Sequence, residues 1–331
     1  MGEEAERPSS RIITRDEHVK ALLLSVEGMS RTSSPILITG ETGVGKDLFA
    51  RAIHGLSGRR GDFIPVNVAG IDDALFADLL FGHRRGAFTG ADQPLKGLLE
   101  RAAGGTLFLD EIGDLSALSQ TKLLRLLESG EYFPVGADMA YLSDARIVVA
   151  TNRDIELMVE RDMFRKDLYY RLHVHHITVP PLRERRGDIP LLLEHFLLEA
   201  ARELGKKPPT VPPGLVPILE AHSFPGNVRE LRAAVINAMS GHSGGVLSLE
   251  PFRSLLSDGK TAAGDPPYAI AFGARLPTIK QATDALVSEA LRRSGNNQST
   301  AARLLGISQQ ALSSRLRNQA TRREKMDFRS A

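Results

Sequence analysis

Twelve residues constrain this chain more than any others: Ile36-Leu-Ile-Thr-Gly-Glu-Thr-Gly-Val-Gly-Lys-Asp47. Four β-prone residues run into a glycine-rich turn, and Leu48 to Ile53 then reads as a helix. Strand, glycine loop, lysine and helix in that order make a P-loop. The glycines let successive backbone N–H groups face phosphate oxygens, the helix N-terminus adds its positive end, and the lysine reaches the outer phosphates. Gly40, Glu41, Thr42, Gly43, Val44, Gly45, Lys46 and Asp47 are therefore the expected nucleotide-binding residues. The strict pattern ends in Ser or Thr after the lysine, whereas Asp47 offers a carboxylate, which can serve a magnesium ion directly or through water.

A chain of 331 residues can bury at least one large core, with two or three domains the natural division. A net charge of +2 says little about partners. The absence of cysteine excludes disulfides and thiolate metal sites. Met1 to Ser10 is polar, and no apolar run reaches transmembrane length, so a cytoplasmic protein without a membrane partner is expected. So short a polar lead leaves no room for a separate sensor domain.

Beyond the P-loop, a helix over His18 to Gly28, a strand over Phe63 to Asn67 and a helix over Ala74 to Phe81 are expected. Gly86-Ala-Phe-Thr-Gly-Ala91 follows. Its glycines disfavour helix, and Phe88 has no periodic apolar partner, so the ring reads as a contact point on a loop. The apolar strand Gly104 to Leu109 ends in Asp110 and Glu111. In a P-loop fold the first acid holds the magnesium shell and the second polarises the attacking water, although an acid pair can also cap the next helix. A helix over Ser119 to Ser129 reads as core. Phe133 to Asp144 reads as irregular, and Ile147 to Ala150 is a strand ending in Thr151-Asn152. Arg165 and Arg171, six residues apart, would point about 240° apart on a continuous helix. Surface ion pairs are the plain reading for both. His173, His175 and His176 lack the acids or cysteines that would complete a metal site, so they read as strand filler.

After Pro180-Pro181 the chain turns helical, over Ile189 to Leu204, Leu215 to Ala221 and Asn227 to Met239. Ser257 to Arg275 reads as a linker. Between Ala285 and Lys325, Arg292, Arg293, Arg303, Arg315, Arg317, Arg322, Arg323 and Lys325 outweigh Glu289 and Glu324, a local net charge of +6. There Ala285 to Arg293 and Gln298 to Leu305 read as helices. Gly306 turns, and Ser308 caps a third helix with Leu312 and Leu316 inward, a helix-turn-helix. The expected fold class is an α/β P-loop domain with a parallel sheet, plus an all-α lid and a C-terminal helix-turn-helix. The expected boundaries are 1–178, 179–256, a 257–275 linker and 276–331.

In these residues the chain resembles the bacterial enhancer-binding proteins, sigma-54-dependent transcriptional activators with an AAA+ ATPase domain. Gly86, Ala87, Phe88, Thr89, Gly90 and Ala91 match the loop that contacts sigma-54 in that family. Gly40 to Asp47, Gly105 to Glu111, Ala150 to Asp154 and Pro225 to Leu231 match in order and spacing. The resemblance implies that Asn67 is the switch partner of Glu111, and that Thr151 and Asn152 form a first sensor. It further implies that Arg165 and Arg171 are fingers reaching a neighbouring subunit's nucleotide, and that Arg229 is a second sensor in the lid. The C-terminal part is similar to a Fis-type DNA-binding domain, with Ser308, Gln309, Gln310, Ser313, Ser314, Arg315 and Arg317 on the DNA; glutamine there suits adenine. Phe224 and Val68 stand where members often have Trp and Cys. By the same resemblance the chain is a short form lacking a receiver domain.

The expected activity is ATP hydrolysis with magnesium, Asp110 and Asp47 serving the metal, driving remodelling of the sigma-54 RNA polymerase closed complex. Expected partners are that holoenzyme, double-stranded enhancer-like DNA, further copies of the chain in a hexameric ring, and a trans-acting regulatory protein. Two other readings stand beside it. Another AAA+ DNA-remodelling motor would have no use for the Gly86 to Ala91 loop, and a repressor binding nucleotide and DNA without remodelling would be favoured by a missing Glu111.

Overall fold

The computed structural model describes residues 12–252, 278–294, 297–314 and 316. The expected linker, and Arg315, Arg317, Arg322, Arg323 and Lys325, lie outside them. The chain divides into two compact units, Met1–Ala262 and Ala263–Ala331.

The first unit is built on five parallel strands. β1 (Ile36–Thr39), β2 (Phe63–Asn67), β5 (Thr106–Asp110), β8 (Arg146–Thr151) and β9 (His175–Thr178) lie in the order β2-β5-β8-β1-β9. Successive side chains of a strand point to opposite faces, and the three central strands β5, β8 and β1 are apolar at both parities. Leu37, Leu107, Leu109, Ile147 and Val149 enter one core, with Phe76, Leu80, Leu123 and Leu168. Ile36, Ile38, Phe108, Val148 and Ala150 enter the other, with Val19, Phe49 and Ile53. A sheet buried on both faces needs such strands. Truncating one of these side chains, as in Leu109→Ala, should cost about 2–5 kcal/mol.

The helices supply those faces. α1 (Glu17–Ser30) and α2 (Lys46–Leu56) cover one side; α3 (Asp73–Phe81), the short α4 (Leu98–Arg101), α5 (Ala117–Ser129), α6 (Ile155–Glu160) and α7 (Lys166–Leu172) serve the other. Side-chain oxygens start many of them. Asp16 accepts from Val19 N, Asp72 from Ala74 N and Leu75 N, Ser116 from Ser119 N, and Asp154 from Leu157 N. Arg146 opens β8 at 1% exposure, its guanidinium donating to Met29 O and Ser30 O at the end of α1. Burial pushes it down to about 10.

Two small antiparallel hairpins stand apart from the sheet. β3 (Gly82–His83) pairs with β4 (Leu95–Lys96), and β6 (Glu131–Tyr132) pairs with β7 (Tyr141–Leu142). The second hairpin occupies part of the stretch that reads as irregular from sequence. α8 (Ile189–Glu203), α9 (Leu215–Ala221) and α10 (Asn227–Ser240) then pack around Phe196, Leu215, Phe224, Leu231 and Phe252 as a helical subdomain with its own core.

In the second unit a helix over Ile279–Arg293 starts earlier than sequence periodicity indicates, because Thr278 and Gln281 form a capping box. A helix over Gln298–Leu304, a turn at Gly306 with φ 66°, and helix 309–314 follow. Ser308 caps the last helix through Ala311 N, and Leu312 is fully buried with Val287, Ala290, Ala301 and Ala302. Among the described residues no helix is long and apolar enough to cross a membrane.

Candidate functional site

Parallel pairing brings the chemically loaded strand ends to one edge of the sheet, where ligands bind in open α/β folds. Thr39 lies opposite Thr151, Asn67 opposite Asp110, and Asp110 opposite Ala150. The P-loop therefore opens beside Asp110, Glu111, Thr151 and Asn152.

Lys46 is buried, with Nζ donating to Gly40 O at 2.8 Å and Glu41 O at 3.3 Å and lying 4.0 Å from Glu111 Oε1. Burial pushes its ammonium below the ordinary lysine range, against the pull of Glu111, Asp110 and Asp47. Burial and the adjacent Glu111 push the Asp110 carboxyl above the usual range. Glu111 has φ 61°, a left-handed conformation costing a non-glycine residue about 1–2 kcal/mol. That backbone turns its carboxylate back over the strand ends, where Oε2 accepts from Asn152 N at 3.1 Å. The Asn152 amide in turn donates to Thr42 Oγ1 at 2.8 Å.

An acid whose ionised form is penalised by burial and like charge is one that a divalent cation would relieve. Asp110, with Asp47 close enough to act on it, fits magnesium in that sense. Among the described residues no three carboxylates or histidines form a metal cage, so the ion's shell would need phosphate oxygens and water.

Asn67, Arg165 and Arg171 each make a local contact within the chain. The Asn67 side chain accepts from Ala69 N at 2.8 Å, closing a local turn rather than bonding Glu111. Arg165 precedes α7 as its N-cap and pairs with Asp167, so the premise of one continuous helix does not hold. Arg171 donates from Nε to Leu127 O. Thr151 is fully buried and accepts from Arg153 N. Arg229 lies at the start of α10 with its N–H on Gly43 O at 3.3 Å, and its charge acts on Lys46.

Sequence reasoning missed the residues that hold the P-loop from the helical side. Asn227, fully buried with φ 51°, donates to Glu41 Oε2 and Thr42 O and accepts from Leu182 N. Arg183 forks onto both oxygens of Glu41 at 2.6 and 2.8 Å. Those bonds, Arg183's first, hold the Glu41 carboxyl below its usual range. Arg185, 4% exposed, donates to Val44 O at 2.7 Å and lies 4.0 Å from the buried Asp188. Asp188 also accepts from Thr14 Oγ1, Arg15 N and Asp16 N. The only local signal was the arginine-rich run after Pro181, which gives no hint of its distant partners.

The Gly86–Ala91 loop joins β3 to β4. Gly86 N donates to Ala91 O at 2.8 Å and Ala91 N to Phe88 O at 3.0 Å, closing the turn with Ala91 buried and Phe88 48% exposed. At the stem, Val135 N donates to Gly82 O and Arg84 N to Val135 O, so the segment between β6 and β7 grips its backbone. Of the three His residues read as filler, His175 bonds to Thr32 and His176 to Thr39 at 2.7 Å, while the His173 ring lies against Tyr169 and His176. In the second unit Gln309, Gln310 and Ser314 are exposed, while the Ser313 hydroxyl donates to Gln298 Oε1.

A parallel sheet with a P-loop at its carboxyl edge and a helical lid on that loop defines an AAA+ nucleotide-binding fold. Residues 12–178 match the sigma-54 interaction domain, 183–267 the AAA+ ATPase lid domain, and 284–318 the Fis family of bacterial regulatory proteins. The chain belongs to the family of the sigma-54 interaction domain, whose AAA+ domain is an ATPase. It is 39% identical to the regulatory protein AtoC of Escherichia coli, over 91% of this chain and 66% of that protein. It is 41% identical to the Nif-specific regulatory protein of Azotobacter vinelandii, over 88% and 55%, and 36% identical to the transcriptional regulator NtrC of Azospirillum brasilense, over 93% and 69%. The chain thus spans about half to two thirds of the length of these curated relatives. Among solved structures, NtrX of Brucella abortus in complex with ATP aligns with a TM-score of 0.70 at 32% identity, covering 93% of this chain and 69% of that one.

Proposed function

We propose that the protein is an ATP-driven transcriptional activator that binds enhancer-like double-stranded DNA and remodels the sigma-54 RNA polymerase closed complex in the cytoplasm. The observation that carries the reading is the Gly86–Ala91 loop, a closed turn with a half-exposed Phe88 projecting from a P-loop domain. Gly40 to Asp47 and Arg229 hold ATP. Asp110 and Asp47 hold magnesium, which would offset phosphate charge. Glu111, fixed by Asn152 N, orients and polarises the attacking water, with Asn67, Thr151 and Asn152 reporting the state of the γ-phosphate. Arg165 and Arg171 serve a neighbouring copy, as the family resemblance implies, and fingers acting in trans require a head-to-tail ring, here a hexamer. The second unit reads DNA through Ser308, Gln309, Gln310, Ser313, Ser314, Arg315 and Arg317. A trans-acting regulatory protein sets when the ring is active. Boundaries at 178, 256 and 275 separate the ATPase domain, lid, linker and DNA-binding domain.

The test is association with sigma-54 when the protein is trapped with ADP and a metal fluoride, a mimic of the hydrolysis transition state. Wild type should associate only when trapped, and Thr89→Ala should lose that association while keeping ATP turnover and DNA binding. Absence of association by trapped wild type, or normal activation by Thr89→Ala, overturns the reading.

A further inference from the structure

The imidazole of His83 joins α3 to the Phe88-bearing loop and its returning arm. It sits on β3 just before the loop and is 10% exposed. Nδ1 faces Asp78 Oδ1 in the last turn of α3 at 2.5 Å, and Nε2 faces Gln93 O at 2.9 Å, in the arm by which the loop returns to β4. The ring edge meets Phe88 with centroids 4.9 Å apart at 65°. Each ring nitrogen thus lies within hydrogen-bond distance of a different oxygen, one on the helix and one on the returning arm. The backbone beneath is held on its other side by Val135, which accepts from Arg84 N and donates to Gly82 O. His83 is thus fixed to the body of the domain by Asp78 and by the stem, and presents its remaining nitrogen and ring edge to the loop.

We propose that His83 is the positioning residue that latches the Phe88-bearing loop in the conformation described here. Raising the loop requires breaking the Nε2–Gln93 bond and the Phe88 contact, while the Asp78 side of the ring stays with the domain. The inference rests on the reading of the loop as the moving, sigma-54-facing element. A latch made of one hydrogen bond and one ring contact is weak enough to be opened by a nucleotide and strong enough to keep the loop down without one. Its removal should shift the raised-to-lowered ratio by about tenfold or more.

The sequence contains no cysteine, so Asp92→Cys, at an exposed position beside the loop, gives the full chain a single attachment point for an environment-sensitive dye. Emission is read with ADP alone and with ADP and metal fluoride, in the His83 background and in His83→Ala and His83→Gln. Wild type should change emission on trapping. His83→Ala should already give the trapped emission with ADP alone and should associate with sigma-54 untrapped, at an ATP turnover close to wild type. His83→Gln, whose single amide nitrogen cannot span both acceptors, should fall between; if the alanine variant fails to fold, the glutamine variant carries the comparison. A His83 variant whose emission with ADP matches wild type, and which still needs trapping to associate, overturns the latch. The latch and the function fail separately: a dye response to trapping and to His83→Ala without any sigma-54 association removes the activator reading alone.

Discussion

The P-loop and the Gly86–Ala91 loop are both glycine turns with left-handed residues, yet what surrounds them differs. At Gly43, with φ 78°, an added Cβ would lie 2.3 Å from Gly226 O, so the lid itself demands glycine. Gly86 and Gly90, at φ 82° and 101°, have open space around them, and only their own backbone calls for glycine. Arg183, Arg185 and Asn227 hold the P-loop through buried or forked bonds. The other loop is seated by His83 below it and by the segment between β6 and β7, where Val135 bonds the stem and Gly136 lies against Ala87. One residue type makes a packed cradle where neighbours lie on it, and an open turn where they do not.

The largest effect that would sharpen this contrast is on turnover. Glu111→Gln keeps the shape of the side chain but cannot polarise water, so steady-state phosphate release should fall on the order of 10²- to 10⁴-fold, with ATP affinity retained in an equilibrium binding assay. A similar loss from a substitution in the Gly86–Ala91 loop would erase the distinction between cradle and open turn.

Next comes stability at the cradle. Asp188→Ala leaves Arg185 buried without its carboxylate and frees Thr14, Arg15 and Asp16, so denaturant titration should register a loss of about 3–5 kcal/mol. Phe88→Ala on the open turn removes a half-exposed ring with one edge contact and should cost about 1 kcal/mol or less. Equal costs at the two positions would break the comparison.

The smallest effect has a pH signature. Arg183 and Asn227 lower the folded pKa of Glu41 below its unfolded value near 4.3. The stabilisation is therefore present above that unfolded value and lost as pH falls through the lower folded one. Because the pair is 39% and 42% exposed, solvent screening limits it to ~0.5 kcal/mol. The stability difference between wild type and Glu41→Gln, followed from neutral pH downward, should shrink toward zero; a difference growing with acidity would contradict the assigned bonds.

Much of the sheet and its loaded edge was legible because the signals are local. Ile36 to Thr39 and Thr106 to Asp110 are apolar runs stopped by glycine or acid, and such a run needs no partner to be recognised. The clamp was not legible, since Asn227 matters through Glu41 and Asp188 through Thr14, with sequence separations of 186 and 174. Arg165 was misplaced because helical spacing was counted through a residue that precedes the helix. β6 and β7 escaped notice since two residues per strand cannot display alternation. The local turn at Asn67, whose amide oxygen accepts from Ala69 N two residues on, was not read from sequence either, though short polar side chains readily make such turns.

The lid's hold on Gly43 and Glu41 also carries a consequence for biosynthesis. A nascent chain ending near residue 180 contains all five strands, the P-loop and both acids, but not Arg183, Arg185, Asp188 or Asn227. At translation rates of roughly 5–20 residues per second, the phosphate loop of such a chain waits on the order of 2–10 s for the segment that closes over it. During that interval Thr14 to Asp16 have no acceptor at Asp188, and the strand ends face solvent. The nucleotide pocket is thus among the last features of the first unit to be completed, although its signature lies in the first of that unit's strands.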